Sequence, residues 1–133
     1  MTTFFSIEPL LRAGRILIGA SREDVRKIMG GYTEFKKSKF SKNTTDNFGS
    51  CHVYYDQDNK VEAVEIFNNA IAEYKMKNLF IISRDEIMKL FSCEPDTNND
   101  DTLGYSDYGI IIGFVDNTVE SILVSRLGYW TEL

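Results

Sequence analysis

The sequence predicts an α+β protein: an antiparallel sheet with packed helices, built from an internal duplication of a strand-helix-hairpin unit. Two echoes within the chain support this. SREDVRKIM at Ser21 to Met29 and SRDEIMKLF at Ser83 to Phe91 are two versions of one helix, 62 residues apart. Asp58-Asn59-Lys60-Val61-Glu62-Ala63-Val64 then reads against Asp116-Asn117-Thr118-Val119-Glu120-Ser121-Ile122, with a separation of 58. A helix and a hairpin are thus repeated together. Units of about 60 residues are too long for a solenoid and suit two pseudo-symmetric halves sharing one core. The expected pseudo-repeats run from about 14 to 67 and from about 77 to 124 within a single domain, 1–133.

Each element has a local reason. Gly14 to Ala20 (GRILIGA) and Asn78 to Ile82 (NLFII) are short apolar runs that end at Ser21 and Ser83, and each reads as a strand feeding a helix. Ser21 and Ser83 can cap the helices, with Asp24 and Glu86 at the third helical position, where Glu86 completes a capping box. Glu23, Asp24, Asp85 and Glu86 lie at the positive ends of the helix dipoles. Val25, Ile28 and Met29 match Ile87, Leu90 and Phe91 as the i, i+3, i+4 stripe of a packed helix, and Gly30-Gly31 stops the first one. From Thr33 to Gly49 the chain is polar, with Phe35, Phe40 and Phe48 as anchors, and reads as an extended excursion. His52 to Tyr55 and Lys60 to Phe67 flank the turn cluster Asp56-Gln57-Asp58-Asn59 as a hairpin; Ile110 to Val115 and Thr118 to Val124 flank Asp116-Asn117 as a tighter one. Alternation along these strands predicts a wet sheet face in the first half and a more buried one in the second.

With 133 residues, 43% apolar and 13% aromatic, the chain is long enough to bury a core. Glu8, Arg12 and Arg15 interrupt the apolar start and no basic segment precedes it, so the opening reads as mature protein rather than a signal peptide. No run approaches the roughly 20 apolar residues of a membrane helix, and a cytoplasmic location without membrane contact is expected. Cys51 and Cys93 occupy inequivalent places in the repeats, which argues against a structural disulfide.

Charge is uneven. No Lys or Arg lies between Lys89 and Arg126, a stretch that holds Glu94, Asp96, Asp100, Asp101, Asp107, Asp116 and Glu120; Lys36, Lys37, Lys39 and Lys42 form a basic patch earlier. Such an acidic side repels nucleic acid phosphates and attracts cationic partners. A solvated face that aids solubility is the alternative reading.

Little points to catalysis. The chain has one histidine, His52, beside Cys51, and neighbours on a strand point to opposite faces, so they cannot act as a nucleophile-base pair. Asp56 with Asp58, or Asp100 with Asp101, could hold a cation in principle, but Glu94 to Asp101 lacks the spacing of a calcium hand and reads as a solvated loop. Gly30-Gly31 follows a helix, where a phosphate loop would precede one. The expectation is a non-enzyme with no catalytic residue, metal or cofactor. Tyr105, Tyr108, Tyr129 and Trp130 lie in or after the acidic region as possible anchors for a basic protein surface, with closure of the core by Tyr108 and Trp130 as the alternative.

The order GRILIGASREDVRKIMG, FKKSKFSKNTTDNFG, CHVYYDQDNKVEAVEIF and VESILVSRLGYW resembles small bacterial immunity proteins of polymorphic toxin and contact-dependent growth inhibition systems. FSKNTTDNFG and HVYYD carry the resemblance most specifically. The helix start GASREDVRKIMG is also similar to duplicated repeats of the β-lactamase-inhibitor and outer-membrane assembly lipoprotein type, though no lipobox is present. The immunity resemblance implies a stoichiometric inhibitor of a cognate toxin C-terminal domain, a nuclease with a basic groove, in which carboxylates would mimic phosphates. Joined to the charge pattern, it makes Asp96, Asp100, Asp101, Tyr105, Asp107 and Tyr108 the candidate toxin-binding residues. Two other readings stand beside it: a structural adaptor of the lipoprotein-like class, and a small enzyme or ligand-binding domain with a pocket between the halves.

Overall fold

Residues 3–41 and 43–129 are described in a computed structural model of the chain, so Lys42 and Trp130 fall outside the described residues. In chain order the elements are β1 (Phe4–Glu8), β2 (Arg12–Ala13), β3 (Ile16–Leu17), α1 (Arg22–Met29), β4 (Thr33–Phe35), β5 (Thr45–Asn47), β6 (Cys51–Tyr55) and β7 (Val61–Phe67). There follow β8 (Ile71–Tyr74), β9 (Lys77–Asn78), α2 (Arg84–Met88), β10 (Thr97–Asn98), β11 (Thr102–Tyr105), a 3-10 turn at Ser106–Tyr108, β12 (Ile110–Val115) and β13 (Thr118–Ser125).

The α+β expectation is overturned. The structure is nearly all sheet, 44% strand against 13% helix, with two short helices. Three physical reasons account for the difference. Helix α2 ends at Met88, so Leu90 and Phe91 leave the helical stripe for a turn, although Phe91 is still buried. The polar stretch from Thr33 to Gly49 contains β4 and β5, and the acidic stretch contains β10, because ladder hydrogen bonds to a neighbouring strand outweigh weak β propensity. The apolar runs before the helices contribute only the short strands β3 and β9.

The eight-stranded sheet has the order β10-β11-β12-β13-β7-β6-β5-β4, two four-stranded antiparallel meanders joined where β13 pairs with β7. The five-stranded sheet has the order β3-β2-β1-β8-β9: two hairpins flank β1, which is antiparallel to β2 and parallel to β8. A unit of hairpin, helix and meander therefore occurs twice, and β1 is the strand without a counterpart.

Repetition reaches individual residues. The register shifts between Tyr54 and Tyr55 in β6, where Tyr55 faces Val61, and between Gly113 and Phe114 in β12, where Phe114 faces Val119. Glu62 and Glu120, matched in the sequence repeat, are the extra residues at these two bulges. Each bulge keeps Val61 or Val119 on the buried face despite the broken alternation.

One face of the large sheet supplies the core, with Val53, Tyr55, Val64, Ile66, Ile110, Ile112, Ile122 and Val124 packed with Val25 of α1, Ile87 of α2 and Phe5, Ile7, Ala13 and Ile16 of the small sheet and its hairpins. The other face carries Phe35, His52, Glu65, Phe67, Ile111, Ser121 and Leu123, all half-buried. Half-buried side chains in both halves replace the expected contrast of a wet first half and a buried second one.

Sheet order also arranges charge. Residues 1–67 hold ten basic and nine acidic side chains, residues 68–133 five and eleven. Lys36, Lys37 and Lys39 follow edge strand β4, whereas Asp96, Asp100 and Asp101 surround edge strand β10. Seven strand spacings of about 4.8 Å separate these edges, about 34 Å across the sheet.

Candidate functional site

The acidic edge is built by α2. Ser83 accepts from the Glu86 amide and Glu86 returns the bond to the Ser83 amide, a full capping box that fixes the first helical turn. Arg84 in that turn donates to Asn98 Oδ1 at 2.9 Å, to the Asn99 carbonyl at 2.7 Å and to the Asp100 carbonyl at 3.3 Å. Its guanidinium lies 4.2 Å from the centre of the Phe114 ring. Asn99 Oδ1 accepts from the Asp101 and Thr102 amides, closing the β10-β11 turn on itself. Asp100 and Asp101 are left exposed on a held backbone.

At the opposite end of β11, the Asp96 carboxylate accepts from the Ser106 amide at the start of the 3-10 turn. Hydrogen bonds from Ser106 hold its pKa below the ordinary 3.8. Asp107 sits exposed in that turn. Gly109 ends the turn at φ +63, against Ser125 O and Leu10 Cδ2, so any side chain there would collide. Among the described residues, no carboxylate of Asp96, Asp100, Asp101 or Asp107 joins an ion pair.

The tyrosines are placed differently. Tyr105 is 1% exposed, its ring stacked on Phe91 with centroids 3.8 Å apart and planes at 12°. Its hydroxyl has no hydrogen-bond partner among the described residues, and burial, with Cys93 and Glu94 nearby, pushes its pKa above 10. Tyr105 is therefore a core residue and offers no contact surface. Tyr108 is half-buried, edge-on to Phe91 at 4.9 Å, with its hydroxyl 2.7 Å from Ser92 Oγ. It lines the rim. Of the six sequence candidates, the structure exposes all four aspartates, Asp96 while its carboxylate also caps the 3-10 turn, and turns the two tyrosines inward or sideways.

No family model, curated protein or solved structure matches the chain.

Cys51 and His52 point to opposite faces: Cys51 is fully buried, with burial pushing its thiol up to about 12, while His52 lies between Phe35 and Phe67 on the other face. They do not form a nucleophile-base pair. Both cysteines are free. Among the described residues no group of three His, Cys, Asp or Glu is placed to hold a metal, and no helix is long and apolar enough to cross a membrane.

Two features escaped the sequence. A buried ionic cluster joins α1 to β5: Arg26 binds both Asp46 carboxylate oxygens at 2.8 Å, Tyr55 donates to the same carboxylate at 2.9 Å, and Arg22 stacks 4.1 Å over the Tyr55 ring. Burial pushes the Asp46 pKa up, but the Arg26 and Tyr55 hydrogen bonds and the charges of Arg26 and Arg22 prevail and hold it below 3.8. A carboxylate so committed is not available as a base. The second feature is a groove of about 500 Å³ bordered by Lys37, Tyr54, Asp56, Glu62, Arg126 and Tyr129. Lys37 Nζ donates to the Tyr129 hydroxyl at 3.1 Å and lies 4.7 Å from the Tyr54 ring. Lys37 and Tyr129 are 92 residues apart, and Asp46 stands in a polar stretch without periodicity, so no local pattern pointed to either.

Proposed function

We propose that this protein is a stoichiometric inhibitor of the immunity type, which binds a cognate toxin domain in the cytoplasm and blocks a basic groove with its β10-β11 edge. One observation carries the reading: Asp100, Asp101 and Asp107 are exposed, and unpaired among the described residues, on a backbone that Arg84, the Asn99 turn and the Asp96 cap hold in place. Fixed carboxylates on an ordered edge can meet a cationic groove as phosphates would, without first being ordered. Cytosolic proteins are the partners this reading requires; nucleic acid is disfavoured at this edge by like charge.

The test is purification of the tagged protein from its native host at low and then high salt, with mass spectrometry of what remains in equimolar amount. The reading expects a toxin C-terminal domain whose activity falls to background at one equivalent of this protein. Recovery of an envelope-assembly complex would instead support an adaptor, and a captured toxin unaffected by one equivalent would exclude inhibition.

A further inference from the structure

Among the described residues, the second face of the large sheet has no layer of secondary structure over it. Buried apolar residues belong to the core on the first face, apart from Ala63 and Tyr129, which lie toward the Tyr54 end where Lys37 and Tyr129 meet. Beyond that end the face carries apolar side chains on either side of Glu65. His52 packs edge-on against Phe35 at 4.8 Å and Phe67 at 4.7 Å, and Leu123 and Ile111 continue the row opposite Glu65 and one another. Glu65 accepts from the Tyr54 hydroxyl at 2.5 Å, so its carboxylate already has a partner on the face.

We propose that this face is the interface of a homodimer related by a two-fold axis parallel to the strands at the β7-β13 seam. Charge selects that axis. Rotation about it lays the lysine-bearing β4 edge of one copy over the aspartate-bearing β10 edge of the other, and does so twice. A face-to-face axis running across the strands would instead set each edge against its like. The same rotation sets β6 over β12 and β7 over β13 and keeps each residue's level along the strands, so His52 of one copy meets Ile111 of the other, Phe67 meets Ser121, and Glu65, already bonded to Tyr54, meets Leu123. Along the strands, Lys36 and Lys37 lie level with the 3-10 turn that holds Asp107. The open area, about 30 Å by 17 Å from strand spacing and rise, is about 500 Å² per copy. The resulting total of about 1,000 Å² stands at the lower bound of specific interfaces and gives a weak, concentration-dependent dimer.

The experiment is sedimentation equilibrium of the full chain from about 1 μM to about 300 μM, at low salt and at about 0.5 M salt. The proposal expects a reversible dimer with a dissociation constant on the order of 10 μM or weaker, loosened several-fold by salt. Ile111→Lys, which sets a charge against His52 of the other copy, should remain monomeric throughout with an unchanged far-ultraviolet spectrum. Should that variant misfold, charge supplies a second readout from exposed residues: Asp107→Lys and Lys36→Glu each weaken the dimer and together restore it. A chain that stays monomeric at the highest concentration, or a dimer indifferent to both sets of substitutions, overturns the proposal. Neither result depends on the toxin reading.

Discussion

The two halves solve one problem, docking a short helix on a four-stranded meander, with different chemistry. In both, the first helical residue is an arginine stacked on an aromatic ring just past a bulge, Arg22 on Tyr55 and Arg84 on Phe114, at 4.1 and 4.2 Å. Both arginines also reach the outer hairpin, Arg22 to Thr44 Oγ1 and its carbonyl, Arg84 to Asn98, Asn99 and Asp100. The halves part at the next turn of helix. Arg26 takes Asp46 into a buried ion pair, whereas the corresponding position in α2 is Met88, which makes no such demand. A carboxylate is therefore internal to the first half, and the second leaves its carboxylates to solvent. In the second half Glu86 and Asp96 still cap local turns, but Asp100, Asp101 and Asp107 are exposed, and that edge is where a partner surface has room to form.

This contrast can be broken most forcefully at Asp46. Asp46→Ala leaves Arg26 facing a vacant buried site and should cost about 3 to 5 kcal/mol in urea unfolding, as truncation of a buried pair does. Arg84→Ala in the second half, which removes exposed hydrogen bonds and one ring contact, should cost about 1 to 2 kcal/mol. Equal losses would mean that the halves are docked alike.

Acid sharpens the same comparison. The folded-state pKa of Asp46 lies below its ordinary 3.8, so its contribution is complete above that value and is lost as pH falls through the depressed folded value. Stability curves against pH should show an acid limb that Asp46→Asn flattens; an unchanged limb would assign it to other carboxylates. Asp96, depressed by its Ser106 bonds, has the same sign.

Arg84→Ala should also act locally. Amide exchange at Asn99 to Thr102 should quicken, while exchange in β6 and β7 stays as it was, because only the β10-β11 turn hangs on that guanidinium. A smaller effect is expected at His52. Burial lowers its pKa from 6.5, partly offset by Glu65. The folded state thus disfavours the charged ring: stability is highest above pH 6.5 and declines as pH falls below it, until the folded-state pKa is also passed. His52→Gln should remove that slope from thermal melts between the two values.

How much of this was readable beforehand follows from range. The helix caps at Ser21 and Ser83, the two hairpins and the duplicated Glu62 and Glu120 are local signals, and a capping serine or a turn cluster acts on residues a few places away. The opposition of Cys51 and His52 follows from strand periodicity alone. Class was misread because β4, β5 and β10 are short, polar strands that exist through their neighbours in the sheet, and because β1, central to the small sheet, has no copy to reveal it. The acidic edge was legible as a charge run. Tyr105 was not legible as core, since its burial depends on Phe91 arriving from the turn after α2, and neither was the Lys37 to Tyr129 contact across 92 residues.

The central claim is that the acidic edge, rather than the basic one, meets the partner. Stopped-flow association of the captured toxin domain with Asp100→Lys/Asp101→Lys tests it, with Lys36→Glu/Lys39→Glu at the far edge as the comparison. Both pairs are exposed, and each should leave stability within about 0.5 kcal/mol. The account predicts association slowed about tenfold or more at low salt, with a shallower salt dependence, for the aspartate pair alone. Unchanged kinetics for the aspartate pair, or an equal loss for the lysine pair, would contradict it.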